Sequence, residues 1–244
     1  MADELGPGSK PKPKLATNEA EAKRNQEDGL ELLLALLATL GLRGLWDFGV
    51  LDIELKRRAL DALIQETSSS LVSLTRDLAS RKITPRTWLL RMRDILVTAS
   101  AAGALLMLGK NEFDDDEEKE WISEINLQYG YLVRFFDEVR DARQILNQGA
   151  VGRSDLYARA LWSTSWRVFT AAWVAVMRKT DGFKLQVLRH LALADHCHDC
   201  VAWAADGWVD YDSEDFHAIG TSVCGARCLC SLEFRMVPTN QEAG

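Results

Sequence analysis

All five cysteines of this chain lie between residues 197 and 230, in the pattern C-x2-C, 23 intervening residues, and C-x3-C-x-C. Two residues between cysteines let both thiolates of a tight turn face one ion, and a second tight pair from a distant segment completes a tetrahedron. The pattern therefore predicts a structural zinc site in the C-terminal part of the chain. Its candidate ligands are Cys197, Cys200, Cys224, Cys228 and Cys230.

Five cysteines are one more than a tetrahedral zinc ion needs. We expect Cys197 and Cys200 to be ligands, and two of the three later cysteines to complete the set, but spacing alone does not choose between them. Weaker candidates are the nearby histidines His196, His198 and His217. The alternative interpretation is that the cysteines are buried or disulfide-bonded without a metal.

The same segment gives little sign of catalysis. A shell rich in cysteine leaves no obvious open coordination position, which a catalytic zinc requires. Zinc deaminases need H-x-E and then P-C-x-x-C, but this chain has no H-x-E, and His196 precedes the first cysteine pair. We therefore expect a protein that is not an enzyme.

Composition limits the architecture and the class of partner. The chain has 244 residues, 47% hydrophobic and 27% charged, with a net charge of −7. This length suits one large domain or a domain with a small appendage, and the acidic balance argues against a generic DNA-coating protein. The polar start of the chain does not resemble a signal peptide. The apolar runs 30–40 and 95–109 are shorter than a bilayer span, so we expect buried core helices and no membrane association.

Hydrophobic periodicity divides the chain into four parts. Residues 1–27 lack apolar periodicity and are predicted to form a disordered arm. Residues 28–180 are predicted to form a helical body, 181–236 a zinc-stapled β-ribbon and knuckle subdomain, and 237–244 a tail. The predicted fold class is therefore mainly α, with a multi-helix body and a small C-terminal β-ribbon zinc-binding subdomain.

Capping residues set the expected helix boundaries. A helix is expected from Asp47 to Arg81, with a break near residues 68–70. Thr84 as N-cap, Pro85 at the first helical position and Gly109 after the end predict a helix over 85–108. Further helices are expected over 121–146, after the acidic connector 111–120, and over 155–179 with Ser154 as cap. Alternating apolar residues predict a strand over 183–191 that pairs with one over 229–236, and a short helix is expected over 201–206.

With these elements in place, the chain resembles the phage head morphogenesis, or minor capsid, family typified by the F protein of phage Mu. The specific part of the resemblance lies in the last forty residues or so, in DHCHDC (195–200), VAWAADGW (201–208) and CGARCLCSLEF (224–234). Upstream, Trp88 and Met92 match the family's W-x-x-x-M helix, and YGYLVRFF (129–136) and LYARAL (156–161) match two later helices. Cys224 stands where the family often has a closing histidine, and this position implies that it is a metal ligand. His198 stands where the family often has proline.

The resemblance implies a structural virion protein of the phage head, assembled in the host cytoplasm and made in few copies. Its implied partners are the portal or the major capsid protein, with packaged DNA and further copies of itself as additional partners. Two alternatives stay open. One is a zinc-containing nucleic-acid-binding protein, suggested by local basic clusters at 56–58, at Arg86, Arg91 and Arg93, and at 178–179. The other is a metal-dependent hydrolase that would use His196, His198 or His217 near the zinc.

Overall fold

The computed structural model describes residues 19–141, 148–192 and 196–239. Within these ranges the chain is mainly helical and ends in a small antiparallel sheet, which confirms the predicted fold class. The elements are α1 (Glu19–Thr39), α2 (Arg43–Asp47), α3 (Ile53–Ala79), α4 (Pro85–Leu108), α5 (Asp115–Asp141), α6 (Gln148–Arg178), β1 (Phe183–His190), α7 (His198–Ala205), β2 (Trp208–Asp210), a 3-10 turn (Gly225–Arg227) and β3 (Ser231–Pro238).

Helix α4 is at the centre of the helical body, where it packs against α1, α3, α5 and α6. Its second half is a run of buried small and apolar residues over 99–107. Small side chains allow close approach of neighbouring helices. Gly103 shows this directly, because a Cβ there would lie 2.5 Å from the Ser165 Oγ of α6.

The predicted caps of α4 are confirmed. The Thr84 hydroxyl accepts a hydrogen bond from the Thr87 N–H at 3.2 Å, and Pro85 occupies the first turn. Gly109 ends the helix at φ +72°, a left-handed conformation that glycine adopts without a steric penalty. Both ends of the central helix are thus determined by local chemistry.

The prediction of a disordered arm over 1–27 is wrong from residue 19 onward, because α1 begins at Glu19. Ala22 is buried in the core, and Glu21 forms an ion pair with Arg93 of α4. Tertiary contacts with α4 therefore stabilise a polar first turn that lacks its own apolar periodicity. Residues 1–18 and 240–244 lie outside the described residues, and the predicted tail over 237–244 is wrong at 237 and 238, which belong to β3.

Two other helix predictions need correction. The helix expected over 47–81 is α3, which begins only after Asp52, whose carboxylate accepts the Leu55 N–H at 2.8 Å; Asp47 is instead the last residue of α2. The expected break at 68–70 is absent from α3, where Ser69 bonds back to the Gln65 carbonyl at 3.0 Å. A serine can satisfy its hydroxyl within the helix in this way.

Later in the chain, α5 begins six residues before the expected start at Trp121, since Asp114 accepts the backbone N–H groups of Asp116 and Glu117. The helix end expected at residue 146 lies within residues 142–147, which are outside the described ranges. Helix α6 begins at Gln148, so Ser154 is not a cap. It is buried, and its hydroxyl lies 2.7 Å from that of Thr75.

The strand pairing is confirmed, although the ribbon has a third strand. Strand β1 lies between β2 and β3, antiparallel to both, with Val187 opposite Val209 on one side and Phe234 on the other. The prediction of two strands missed β2, because a strand of only three residues shows no alternating pattern in the sequence. Within the described ranges, every helix is too short or too polar to cross a bilayer.

The sheet is attached to α6 by aromatic side chains. Phe234 of β3 stacks on Trp173 with ring centroids 5.7 Å apart and an interplanar angle of 10°. The buried Trp162 Nε1 donates to the Cys230 carbonyl at 2.8 Å. Helix α6 therefore holds the last cysteine and the strand that follows it.

Candidate metal centre

The five cysteines come together from two segments of the C-terminal part. Cys197 is the N-cap of α7 and Cys200 lies in its first turn, so the two residues between them place both thiols at one helix end. Cys224 and Cys228 flank the 3-10 turn, and Cys230 directly precedes β3. All five are free thiols, which does not support the disulfide alternative.

The distances between sulfurs suit a metal. Four sulfurs about 2.3 Å from a tetrahedral zinc are separated by about 3.8 Å. The Cys224 Sγ lies 3.5 Å from that of Cys197 and 3.6 Å from that of Cys200, and the Cys200 and Cys228 sulfurs are 3.7 Å apart. Such spacings let one ion contact neighbouring sulfurs with little rearrangement.

The sulfurs form two groups of three, and Cys200 belongs to both. Within each group all sulfurs lie within 4.8 Å of one another. The first group is Cys197, Cys200 and Cys224, and the second is Cys200, Cys228 and Cys230. Every predicted cysteine ligand therefore lies in at least one candidate group.

The two groups differ in burial. Cys200, Cys228 and Cys230 are 0%, 3% and 0% exposed, whereas Cys197 and Cys224 are partly accessible. We name the second group the inner triad and the first group the outer triad. An ion in the inner triad would be shielded from water, and one in the outer triad would be close to solvent.

Local hydrogen bonds prepare some thiols for metal binding. The backbone N–H of Cys200 donates to Cys197 and, with other neighbours, lowers the pKa of the Cys197 thiol to about 6. Hydrogen bonding from Cys230 lowers the pKa of Cys228, and burial raises that of Cys224 to about 12. A thiolate is the form that binds metal. Cys197 in the outer triad and Cys228 in the inner triad are therefore the favoured first ligands.

Polar neighbours connect the two segments that carry the thiols. The Asp199 carboxylate accepts the Val223 N–H at 2.9 Å, which links the start of α7 to the segment before Cys224. The buried Ser222 hydroxyl lies 3.4 Å from the Cys200 Sγ and 3.0 Å from the Cys224 Sγ. Neither residue was predicted from the sequence, although Asp199 lies within the C-x2-C element itself.

Among the three candidate histidines, which all lie in the described residues, only His196 has a ring nitrogen beside a sulfur. Its Nδ1 lies 3.8 Å from the Cys230 Sγ, and its Nε2 lies 2.6 Å from the Ala192 carbonyl oxygen. His198 is 83% exposed and pairs with Asp199, while His217 stacks on Trp203 at a centroid distance of 4.0 Å. The structure thus separates His196 from the other two candidates.

Three residues of the basic clusters take part in contacts within the chain. The Lys56 ammonium donates to the Met107 carbonyl at 2.9 Å, and burial lowers its pKa. Arg57 pairs with Glu54 at 3.2 Å, and Arg93 pairs with Glu21. These three cations are therefore already engaged by neighbouring groups.

Comparison with models of known protein families, with curated proteins and with solved structures finds no match to this chain.

Proposed function

We propose that this chain is a structural, non-enzymatic protein of a phage head, a minor capsid or head morphogenesis protein whose C-terminal part is closed by zinc. The proposal rests on the motif resemblance of residues 195–208 and 224–234, together with the five-thiol centre. Such a protein would associate with the portal or the major capsid protein and aid head assembly or genome delivery.

The observation that carries the zinc part is the convergence of five free thiols in two groups of three, with sulfur pairs 3.5, 3.6 and 3.7 Å apart. The sheet beside them has only three strands, and its own core is small. Small sheets of this kind need support from packing or crosslinks. A zinc ion would connect the start of α7 to the segment before β3, and its binding free energy would become folding free energy.

The role in the virion is tested by peptide mass spectrometry of purified particles and of empty precursors from a lysate that expresses this chain. We expect the chain in both at low copy, and crosslinks to the portal or the major capsid protein. A Cys200→Ser variant expressed in parallel should be depleted from particles if the zinc-closed tail is needed for incorporation. Absence of the wild-type chain from both particles and precursors would refute the assembly role.

The nucleic-acid-binding alternative has less support. Lys56, Arg57 and Arg93 are engaged within the chain, and a basic face for phosphate would need free cations. Titration of the purified chain with duplex DNA at low and high salt decides between DNA binding and the assembly role. Binding whose affinity falls steeply with salt would favour this alternative over the assembly role.

A metal-dependent hydrolase is a third class of function. Within the described residues the candidate metal groups consist of cysteines alone, and such a ligand set is typical of structural rather than catalytic zinc. Hydrolysis of DNA or ester substrates that is lost on chelation would support this class and contradict the non-enzymatic proposal.

A further inference from the structure

A single zinc site does not account for the two sulfur triads. A single tetrahedral ion takes four ligands, yet five thiols converge, and in the described part of the chain no four of them form one mutually close group. They form two triads instead, joined at Cys200. Two tetrahedra that share one corner would have this arrangement.

His196 lies beside the inner triad, with a ring nitrogen close to Cys230 but not within 4.8 Å of all three sulfurs. Its Nε2 lies 2.6 Å from the Ala192 carbonyl, which can only accept a hydrogen bond, so this nitrogen carries the proton. Nδ1 then holds the free lone pair, and it lies 3.8 Å from the Cys230 Sγ. Nitrogen and sulfur ligands of one zinc are about 3.6 Å apart. Metal-binding histidines characteristically donate their other ring N–H to such a carbonyl.

Charge also favours more than one ion. One dication with four thiolates would leave two net negative charges at a site where Cys200, Cys228 and Cys230 are buried. Two dications with five thiolates and a neutral imidazole would leave one. A charge buried in a low-dielectric region is costly, so the second ion reduces the cost of closing the centre.

We propose that the centre binds two zinc ions bridged by the thiolate of Cys200. The inner ion is held by Cys200, Cys228 and Cys230, and the His196 ring moves in from beside Cys230 to supply the fourth ligand. The outer ion is held by Cys197, Cys200 and Cys224, with water in its fourth position. Each thiol that is still protonated in the metal-free chain releases its proton to solvent when the ions bind, and no redox change occurs. This inference rests on the proposed zinc-closed tail and specifies its ligands.

The test is metal counting on the intact chain by native mass spectrometry, after expression with zinc. The wild-type chain should carry two ions. Cys197→Ser should lose the outer ion, His196→Gln should lose or weaken the inner ion, and each should retain one. His198→Gln is the matched control, because that ring is 83% exposed and pairs with the Asp199 carboxylate, and this variant should keep two ions.

A second measurement on the unmodified chain avoids variants that fail to fold. Titration of the metal-free chain with Co²⁺ should give an electron paramagnetic resonance signal that grows to one equivalent. The signal should then fall towards two equivalents, because ions bridged by a thiolate couple magnetically. A signal that saturates at one equivalent and never falls would argue against a bridge.

The outcomes separate this inference from the zinc-closed tail. Two ions, with one lost in the Cys197 and His196 variants, support both. One ion in the wild-type chain, unaffected by His196→Gln, overturns the two-ion centre and leaves the single-zinc tail standing. No bound ion overturns both.

Discussion

Gly29 offers the sharpest test of how α1 packs on α4. A Cβ added at Gly29 would lie 2.6 Å from the Ala101 Cβ, against the 3.4 Å at which ordinary contact begins. It would also lie 3.0 Å from the Ala102 backbone nitrogen and 3.1 Å from the Thr98 carbonyl oxygen. None of these atoms can rotate away, so Gly29→Ala must push the two helices apart.

The magnitude follows from two opposing effects. Alanine in place of a helical glycine stabilises by about 0.8–1.0 kcal/mol. Overpacking a well-packed contact costs about 1–3 kcal/mol, and the upper part of that range applies because two of the three close atoms are backbone. We expect Gly29→Ala to lower the free energy of unfolding by about 1–2 kcal/mol, which for a chain of this size lowers Tm by about 2–8 °C.

Gly130→Ala is the matched control. Gly130 also lies within a helix, α5, but a Cβ there meets nothing within 4 Å. Only the helix-propensity effect remains, so the free energy of unfolding of this variant should rise by up to about 1 kcal/mol. Urea unfolding followed by circular dichroism measures both. Equal stabilisation of the Gly29 and Gly130 variants would refute the close packing of α1 on α4.

Three further predictions concern single contacts. Thr84→Ala should cost about 1 kcal/mol in urea unfolding, because the Thr84 hydroxyl caps α4; an unchanged unfolding midpoint would contradict the cap. Hydrogen bonding from the Glu117 N–H, together with other neighbours, lowers the pKa of Asp114, so its stabilising effect is complete above about pH 4 and is lost as the pH falls through its folded value. The stability gap between the wild-type chain and Asp114→Asn should therefore shrink on acidification, and a gap constant from neutral pH to acid would refute this. Trp162→Phe leaves the Cys230 carbonyl without its donor and should cost about 1–3 kcal/mol; a smaller loss in the same assay would show that the bond contributes little.

The sequence determines those elements whose signals are local. Thr84, Pro85 and Gly109 set the ends of α4 through their own backbone preferences, and no distant contact is needed. The cysteine spacing predicted the convergence of the thiols for the same reason, since tight turns place neighbouring thiols together. The alternating residues of β1 likewise predicted its pairing with β3.

The features that were missed depend on tertiary contacts. The first turns of α1 are stabilised by Arg93 and by the buried Ala22, and neither is visible as periodicity in a polar segment. Strand β2 is three residues long and exists because β1 offers it a free edge. His196 could not be separated from its neighbours by spacing, because its position depends on the Ala192 carbonyl and Cys230.

Hydrogen exchange with and without a zinc chelator tests the central claim, that metal at the five-cysteine centre holds the C-terminal part in its fold. On removal of the metal we expect rapid exchange in α7, in the segment 220–230 and in the β1–β3 pairing. Helices α3 and α4 should keep their protection, because they pack against α1, α5, α6 and each other rather than against the centre. Unchanged protection of residues 196–238 after complete metal removal would contradict the claim.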